Sequence, residues 1–418
     1  MNYFTDGSQD EELENIINEN DGEESSKKPK NKFGLGVITG ILIAVAIGLI
    51  ATVIFVITAQ NSTTTLNYNE KVNTILAYLN KYFLYDFDEN IVENGIAKGL
   101  MEGLGDKYAC YYTADEFNSL MEDNAGEYVG IGVSVTQIED GSYQIFKVFK
   151  GSPAQEAGLQ AKDIIVSVNG QTQFKDLDAL VAEVKGEPGT SIEMEIAREN
   201  EIFKTQVERR LVQTQTIEYK MLPGNMGYIA ISQFETTTTE QFKNAIDDLT
   251  NQGMTSVIMD LRDNPGGDYD TVVAMADRVL PKGKILTTRD KYNNEKTETS
   301  DEEHQLKLPM VLLVNGNSAS AAELFTGALQ DYNWAKVVGT QTFGKGIVQS
   351  IFRLPDGSGI KFTTEQYFTP NGRDINGVGI APDVVVEIPE NAYKDGLVTE
   401  DEDTQLQKAI EILSESAK

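Results

Sequence analysis

The feature that most constrains this chain is an unbroken apolar segment near its N-terminus. Residues 33–59, FGLGVITGILIAVAIGLIATVIFVITA, contain no charged side chain. A helix that crosses a bilayer needs about 20 consecutive apolar residues, and this run is longer. A cleaved signal peptide has a shorter apolar region, of roughly 7–15 residues, with small residues at its cleavage site. The run therefore predicts an uncleaved transmembrane helix.

The charges beside this run predict its orientation. KKPKNK, residues 27–32, precedes the run, and nothing comparably basic follows it. By the positive-inside rule, the N-terminus is then cytoplasmic and residues 60–418 lie outside the cytoplasm. The first 26 residues are acidic and poor in aromatic side chains, a composition that cannot bury enough apolar surface to order itself. We expect a disordered cytoplasmic tail over 1–32 in a single-pass protein of the cell membrane.

Composition excludes several functions. The formal net charge of the 418-residue chain is −30, which argues against nucleic acid as a partner because phosphate binding needs basic surface. The single cysteine, Cys110, cannot form an internal disulfide. No His/Cys cluster has metal-ligand spacing, so no metal site is expected.

Helical periodicity marks both ends of the extracytoplasmic part. Residues 60–124 combine a polar linker with apolar residues at spacings of three and four, such as Val72, Ile75 and Leu79. Residues 396–418 contain an amphipathic pattern that predicts a C-terminal helix. These helices are candidates for pairing subunits in a homodimer.

Residues 211–395 alternate between short apolar runs and helical patterns. The runs are MGYIAISQF (226–234), TSVIMDLRDN (255–264), LPMVLLVNG (308–316) and WAKVVGT (334–340). Runs of this length are typical of buried strands. Their alternation with helices predicts an α/β domain with a largely parallel sheet.

Residues 125–210 contain shorter strands and two motifs. In GIGV, residues 130–133, two glycines let successive backbone N–H groups point into one concavity, which favours an anion such as a terminal carboxylate. GSPAQEAGL is then followed by KDIIVSVNGQ. Together the motifs resemble those of PDZ domains, although Lys162 stands where that signature usually has glycine. The resemblance implies a peptide-binding loop at Gly130, Ile131, Gly132 and Val133; the alternative is a tight glycine turn without a ligand.

NGNSASAAELF, residues 315–325, places a serine between a predicted strand and a predicted helix. Ser320 with Glu323 forms a capping-box pattern, which is a purely structural interpretation. A catalytic serine would also need a base. The only histidine, His304, lies in the charged segment TSDEEHQLKLP, which is typical of a solvated loop, so a Ser-His-Asp triad is not expected.

A neutral lysine can activate a serine instead. Because a free lysine has a pKa of about 10.4, such a base must be desolvated to lose its proton near neutral pH. Lys345 lies between two glycines, close to Phe343 and Ile347, with no acidic neighbour in sequence. Gln349, four positions further on, is predicted to lie on the same side of the chain and to orient the amine.

DLRDNPGG, residues 260–267, runs from a predicted strand into a glycine pair. An oxyanion hole needs backbone N–H donors that approach the substrate closely. Gly266 or Gly267 could supply one donor, and Ala321 at the start of the next helix could supply the other. The alternative is a plain Pro-Gly turn.

These motifs and YFTPNGRDINGVGIAPDVVV, residues 367–386, follow the order found in carboxyl-terminal processing peptidases, also called tail-specific proteases. The chain resembles that family over roughly residues 68–390, departing from its pattern at Asp263 and Ala322. The resemblance implies a crotonase-like α/β protease core with an inserted PDZ domain and no metal or organic cofactor. It also assigns roles: Ser320, rather than Ser318, is the nucleophile, Lys345 the general base and Gln349 its orienting partner, with Gly266, Gly267 and Ala321 in the oxyanion region.

The predicted function is that of a membrane-anchored extracytoplasmic serine endopeptidase. It would cleave protein or peptide substrates recognised by their free C-termini, using a Ser-Lys dyad regulated by the PDZ domain. Two alternatives stay open at this point. One is a PDZ scaffold with an inactive protease core, and the other is a serine-lysine hydrolase of small esters or amides.

Overall fold

The structure is a computed structural model that describes residues 68–199, 201–394 and 397–416. The predicted cytoplasmic tail and transmembrane helix lie outside these residues. Within the described ranges, no helix has both the length and the apolar character that crossing a bilayer requires. The chain divides into two compact units, one ending at Val92 and one beginning at Glu93.

The α-helices of the described residues are numbered in chain order. They are α1 (Tyr68–Tyr82), α2 (Glu89–Glu102), α3 (Ala114–Ala125), α4 (Pro153–Glu156), α5 (Leu177–Val184), α6 (Thr238–Asn251), α7 (Tyr269–Asp277), α8 (Ala321–Asp331) and α9 (Thr404–Ser416). A 3₁₀ helix covers Glu390–Ala392.

The β-strands are numbered in the same way. They are β1 (Cys110–Tyr112), β2 (Glu127–Gly130), β3 (Val133–Gln137), β4 (Tyr143–Val148), β5 (Ile164–Val168), β6 (Ser191–Arg198), β7 (Glu201–Glu208), β8 (Arg210–Gln213), β9 (Ile217–Leu222), β10 (Met226–Ile231), β11 (Ser256–Asp260), β12 (Gly283–Asp290), β13 (Glu295–Ser300), β14 (Met310–Val314), β15 (Lys336–Gly339), β16 (Ile347–Arg353), β17 (Gly359–Phe368), β18 (Val384–Val385), β19 (Tyr393–Lys394) and β20 (Leu397–Val398).

The segment predicted to be helical up to residue 124 is interrupted. β1 separates α2 from α3 and pairs with β17, with Cys110 opposite Lys361. Periodicity within the segment does not reveal a three-residue strand whose partner lies far away in sequence. α3 itself begins with a capping box between Thr113 and Glu116 and ends at Gly126, whose φ of 69° is left-handed.

Strands β3 to β7 form an antiparallel five-stranded sheet, with β3 at one edge. Ile145, Val168 and Ile192 lie in its core. The separate pair of β2 with β8 connects this sheet to the rest of the chain at both ends, and we call that pair the stem. Lys162, which replaces the expected glycine, adopts a left-handed φ of 76° before β5, so the turn forms without glycine.

The predicted parallel sheet is confirmed. Its order is β18-β15-β14-β11-β10-β9, and all neighbours are parallel except β9 and β10. Alternate residues of one strand face opposite sides. Val257 and Met259 accordingly pack in the cluster that includes α6, α7 and α8, whereas Ile258 packs in the cluster that includes α9.

A second, antiparallel sheet was not predicted from the sequence. Its order is β1-β17-β12-β13, and β16 is an additional strand that pairs with β17. Most residues of β16 and β17 are half-buried on both faces, so neither strand shows the alternation that would reveal it.

Parallel pairing explains how distant motifs meet. The strands β10, β11, β14 and β15 are neighbours that run in one direction, so their carboxyl ends lie along one edge of the sheet. Ligands of open α/β sheets bind outside this edge. The loops that follow these strands carry Phe234, the NPGG segment, Ser320 and Lys345.

Candidate active site

Ser320 occupies a sharp turn between β14 and α8. Its φ of 54° and ψ of −115° are unusual for a residue with a side chain, and such a backbone costs on the order of 1–3 kcal/mol unless its surroundings hold it. The predicted capping box between Ser320 and Glu323 is present, although its hydroxyl contact with the Glu323 N–H falls short of a hydrogen bond. The Ser320 N–H donates to Glu323 Oε2 at 2.9 Å, whereas the serine hydroxyl makes no N-cap hydrogen bond.

Ser318, the other candidate nucleophile, uses its hydroxyl in structural hydrogen bonds. Ser318 is fully buried, and its hydroxyl donates to the Leu261 carbonyl at 2.8 Å. The same oxygen accepts from the Asn315 N–H at 2.9 Å. Ser318 therefore ties the loop before α8 to the end of β11, while Ser320 is half-buried with a hydroxyl that is free of this kind of bond.

A buried carboxylate joins the Ser320 turn to the Lys345 loop. Glu323 has no exposed surface. Its Oε2 accepts from the N–H groups of Ser320 at 2.9 Å and Lys345 at 2.8 Å. Its Oε1 accepts from the Thr342 hydroxyl at 2.5 Å and the Gly344 N–H at 2.7 Å. The residue interpreted from sequence as a helix cap thus fixes the backbones of both candidate catalytic residues.

Tyr367 on β17 makes a second link between the same two residues. Its hydroxyl lies 2.9 Å from the Ser320 carbonyl oxygen and 3.0 Å from the Lys345 carbonyl oxygen, and donates to both. Burial, together with the charge of Glu323, raises the pKa of Tyr367 well above its ordinary value. The phenol therefore stays protonated and remains a donor.

The Lys345 side chain lies against an aromatic ring. Its Nζ is 4.4 Å from the centroid of the Tyr108 ring, which is cation–π geometry. Within the described residues, no hydrogen bond joins this amine to Ser320 or to Gln349. The structure thus brings the backbones of Ser320 and Lys345 together, with the amine held on Tyr108.

The electrostatics of the site shift the Lys345 amine toward its neutral form. Burial lowers the pKa of Lys345, and the nearby charges of Lys361 and Lys107 lower it further. The carboxylates of Asp106 and Glu323 act in the opposite direction and do not reverse the shift. A lysine base has to be desolvated to lose its proton near neutral pH. Burial is the largest cause of the lowered pKa of Lys345.

Gln349 lies on β16, opposite Thr363. The register shifts between Val348 and Gln349, and a bulge of this kind redirects the side chains that follow it. An i, i+4 spacing places two side chains on one side only in a regular segment, so it does not establish where this amide points. Its Nε2 is buried without a hydrogen-bond partner among the described residues, and the orienting role stays a prediction.

Gly266 permits close approach to the Ser320 turn. Its φ is 101°, and a Cβ there would lie 2.8 Å from Ser320 Cβ and 2.9 Å from the Ala321 nitrogen. The Gly266 N–H donates to the side-chain oxygen of the fully buried Asn264 at 2.8 Å. This donor is therefore used within the NPGG loop.

Two other N–H groups near Ser320 are unoccupied. Those of Gly267 and Ala321 donate to no acceptor among the described residues. Gly267 is exposed and has a φ of 142°, and a Cβ there would lie 2.0 Å from the Phe234 carbonyl oxygen. Ala321 is the first residue of α8, where the helix dipole favours negative charge.

The predicted peptide-binding loop lies between β2 and β3. Gly130 ends β2, and Val133 begins the edge strand β3. The N–H groups of Ile131 and Gly132 donate to no acceptor within the part of the chain that the structure describes. Gly132 has a φ of 81°, and a Cβ there would lie 2.3 Å from Ser152 Cβ, so this turn requires glycine.

His304 is exposed, as predicted for a solvated loop. One of its ring nitrogens and one carboxylate oxygen each of Asp301 and Glu303 lie within 4.8 Å of one another. All three residues are exposed, and acidic groups commonly cluster at a surface without binding an ion. The cluster therefore does not indicate a metal site.

The variant Glu323→Gln tests whether Glu323 only caps α8 or also holds the backbones of Ser320 and Lys345 in place. Glutamine suits the third position of a capping box as well as glutamate does, but its NH₂ group cannot accept the N–H bonds that Glu323 now receives. We expect kcat/KM for a peptide to fall by about 10²-fold, because small displacements of reacting groups have effects of that size. The effect should lie in kcat rather than KM.

Steady-state kinetics of purified Glu323→Gln check this expectation, with Glu240→Gln on the exposed start of α6 as the matched control. Wild-type kcat in a folded Glu323→Gln protein would reduce Glu323 to a helix cap.

Comparison with known proteins identifies the relatives of this chain. The profile of "Peptidase family S41" matches residues 225–386, and that of "PDZ domain" matches residues 147–198. The "Probable CtpA-like serine protease" of Staphylococcus aureus (strain MRSA252) is 34% identical over 396 residues, which is 92% of this chain and 79% of the relative. The protein of the same description from Staphylococcus epidermidis is 36% identical over 365 residues, or 85% of this chain and 73% of the relative.

Solved structures resemble the chain less closely. The photosystem II D1 C-terminal processing protease is 26% identical and covers 76% of this chain and 88% of its own, with a TM-score of 0.46.

Proposed function

The chain belongs to peptidase family S41, with CtpA-like serine proteases as relatives, and on that premise we propose that it is a membrane-anchored endopeptidase with a Ser-Lys dyad. Family membership makes it a serine protease of the C-terminal processing type that acts on protein substrates and carries a PDZ domain. The dyad, the anchor at residues 33–59, the extracytoplasmic location and control by the PDZ domain are the proposal.

One observation carries the dyad. The Ser320 and Lys345 N–H groups donate to the same oxygen of Glu323, at 2.9 and 2.8 Å. A carboxylate without exposed surface that receives four hydrogen bonds is a rigid support. It holds an uncommitted serine hydroxyl and a partly desolvated amine on neighbouring loops, which is the arrangement an activated nucleophile needs.

The proposed reaction is acyl transfer. The Ser320 oxygen attacks the peptide carbonyl carbon while its proton passes to Lys345 Nζ. The N–H groups of Gly267 and Ala321 then stabilise the tetrahedral oxyanion. Lys345 returns the proton to the leaving amine, and water hydrolyses the acyl-enzyme with the same residue as base.

The Lys345 side chain has to change rotamer before it can act. In the structure its amine lies over the ring of Tyr108, and a ring face favours the charged form. Rotation toward Ser320 breaks this contact. We propose that the structure represents the enzyme before substrate binding.

The PDZ domain is proposed to bind the C-terminal tail of the substrate. The free N–H groups of Ile131 and Gly132 can receive a terminal carboxylate. The adjoining β3 is an edge strand, so an extended peptide can pair with its open side. The loop and the strand are continuous, which lets one tail use both.

The anchor and the oligomeric state rest on simpler observations. The uncharged run 33–59 and the basic segment before it support a single-pass protein with its catalytic part outside the cytoplasm. α1 exposes Ile75, Tyr78 and Tyr82, so it stays a candidate for a homodimer contact.

Cleavage of matched peptides tests the proposed function. A peptide with a free C-terminus and its C-terminal amide differ only in the carboxylate. We expect the free form to be cleaved with a kcat/KM at least about tenfold higher, because a charge-assisted bond to backbone donors contributes roughly 1.5–3 kcal/mol. N-terminal acetylation is the control and should have no effect.

Equal cleavage rates for the peptide with a free C-terminus and for its amide would contradict recognition of the C-terminal carboxylate. If neither peptide is cleaved and a fluorophosphonate fails to label Ser320 in the presence of peptide, the chain is a PDZ scaffold. Turnover of small esters without peptide cleavage would instead favour a small-molecule hydrolase.

A further inference from the structure

Glu235 is a buried carboxyl group that the proposed reaction does not use. It follows Phe234 after the end of β10 and is 6% exposed. Its Oε2 has no hydrogen-bond partner among the described residues, and no Lys or Arg side chain of that part of the chain forms an ion pair with it. An unpaired carboxylate in such a place is costly, so its presence needs an explanation.

The backbone beside Glu235 holds the oxyanion loop. The Phe234 N–H donates to the Gly266 carbonyl at 2.9 Å, and the Asp268 N–H donates to the Phe234 carbonyl at 2.7 Å. The Thr271 hydroxyl, which donates to Asp268 Oδ2 at 2.8 Å, also lies 3.2 Å from the Glu235 carbonyl oxygen. A shift of residues 234–235 would therefore move the segment that presents the Gly267 N–H.

The side chain of Glu235 faces the opposite way, toward the stem of the PDZ domain. A Cβ at Gly126 would lie 2.5 Å from Glu235 Oε2. Gly126 separates α3 from β2, and its carbonyl accepts from the Thr214 N–H at 2.9 Å, just after β8. The Thr236 N–H also donates to the Asn124 carbonyl at 3.2 Å. The carboxyl group thus lies where both stem strands meet the protease core.

The surroundings favour the neutral acid. The pKa of Glu235 is raised to about 7, chiefly by burial and also by the Asp123 carboxylate at the end of α3, while a hydrogen bond with Thr214 opposes the shift. The Asp268 carboxylate accepts hydrogen bonds from the N–H and the hydroxyl of Thr271. Ionisable groups on the elements packed nearby include Glu122 on α3, paired with Lys185, and Glu127 and Tyr128 on β2. Arg210 on β8 pairs with Glu156, and Glu240 pairs with Lys243 on α6.

We propose that Glu235 is a positioning residue that couples the stem of the PDZ domain to the oxyanion loop, and that it does so as the neutral acid. Ionisation of Glu235 places a second negative charge beside Asp123, and no Lys or Arg side chain of the described residues forms an ion pair with it. The charge is relieved by admitting water, which separates Gly126 from residues 234–235. The inference rests on the proposed function for the role of the oxyanion loop.

The sign of the pH dependence follows from the raised pKa. Between an unfolded value of about 4.5 and the folded value of about 7, the closed junction holds a proton that the open one releases. The contact therefore contributes fully below the unfolded pKa and is lost as pH rises through about 7. Opening of the junction should become about tenfold more favourable between pH values of about 6 and 8.5.

Hydrogen exchange of the full-length protein measures this opening without requiring activity. After correction for intrinsic exchange rates, residues 124–127 and 232–236 of the wild type should lose about tenfold in protection over that pH range. Glu235→Gln, which mimics the neutral acid, should show no such loss, and Glu240→Gln should behave as wild type. An identical pH dependence in wild type and Glu235→Gln overturns the proposal.

The effect of Glu235 on catalysis is measured separately, from the pH dependence of kcat/KM. The ratio of kcat/KM for Glu235→Gln to that for wild type should rise through an ionisation near pH 7, because only the wild type loses its oxyanion geometry. A flat ratio alongside the expected exchange data would overturn the link to the oxyanion loop. Failure of the proposed function itself would instead appear as absent cleavage in both proteins, with the exchange test still decisive for the stem.

Discussion

Ser320→Ala is expected to abolish peptide cleavage, with kcat/KM lowered by roughly 10⁴-fold or more. Apart from its capping-box contact with the Glu323 N–H, which falls short of a hydrogen bond, the hydroxyl has no partner among the described residues, so its removal should leave the fold intact. The backbone N–H that donates to Glu323 is retained in the variant. Loss of activity would therefore report the chemistry of the hydroxyl and not damage to the turn.

Ser318→Ala is the matched control for Ser320→Ala. The Ser318 hydroxyl makes two buried hydrogen bonds, to Leu261 and from Asn315, so its loss should destabilise the protein by about 1–3 kcal/mol. The folded fraction should still cleave peptide. Kinetics combined with thermal unfolding separate the two serines, and an active Ser320→Ala protein would exclude Ser320 as nucleophile.

Lys345→Met is expected to produce a loss as large as that of Ser320→Ala. Methionine has similar length but no amine, so the serine loses its proton acceptor while the Glu323 bond to the residue 345 N–H is kept. Since groups that act as a unit are not additive, the double variant should be no worse than either single one. Lys345→Arg should not restore activity, because a guanidinium stays protonated.

The pH profile supplies a second measure of the same residue. Protonated Lys345 cannot accept the serine proton, so activity should fall as pH decreases through the lowered pKa of this amine. The midpoint of that limb should lie below the ordinary lysine range. Lys336→Met, on the exposed side of β15, is the surface control and should keep the wild-type profile. A Lys345→Met protein with wild-type kcat/KM would contradict the dyad.

The parts of the fold that sequence predicts are those with local signals. β10, β11, β14 and β15 appear as apolar runs because both faces of the parallel sheet are covered by helices. The GIGV loop and the left-handed glycines of NPGG are visible because few other residues tolerate such backbones.

What sequence could not supply depends on distant partners. Glu323 was interpreted as a cap because Ser320 is three residues away, whereas Thr342 and Gly344 come from the loop after another strand. Tyr108 contacts Lys345 from the segment before β1, which no spacing relates to it. The bulge before Gln349 is set by pairing with β17, so the i, i+4 rule did not apply there.

Activation of Ser320 by Lys345 can be measured as the rate at which a fluorophosphonate modifies Ser320. The label reports nucleophilicity without requiring a known substrate, and peptide mass mapping identifies the modified serine. If Lys345 is the base, the wild-type rate rises with pH through one ionisation below the usual lysine range, and Lys345→Met reacts at least about 10³-fold more slowly at every pH. Equal rates in the two proteins, or modification of a serine other than Ser320, would contradict it.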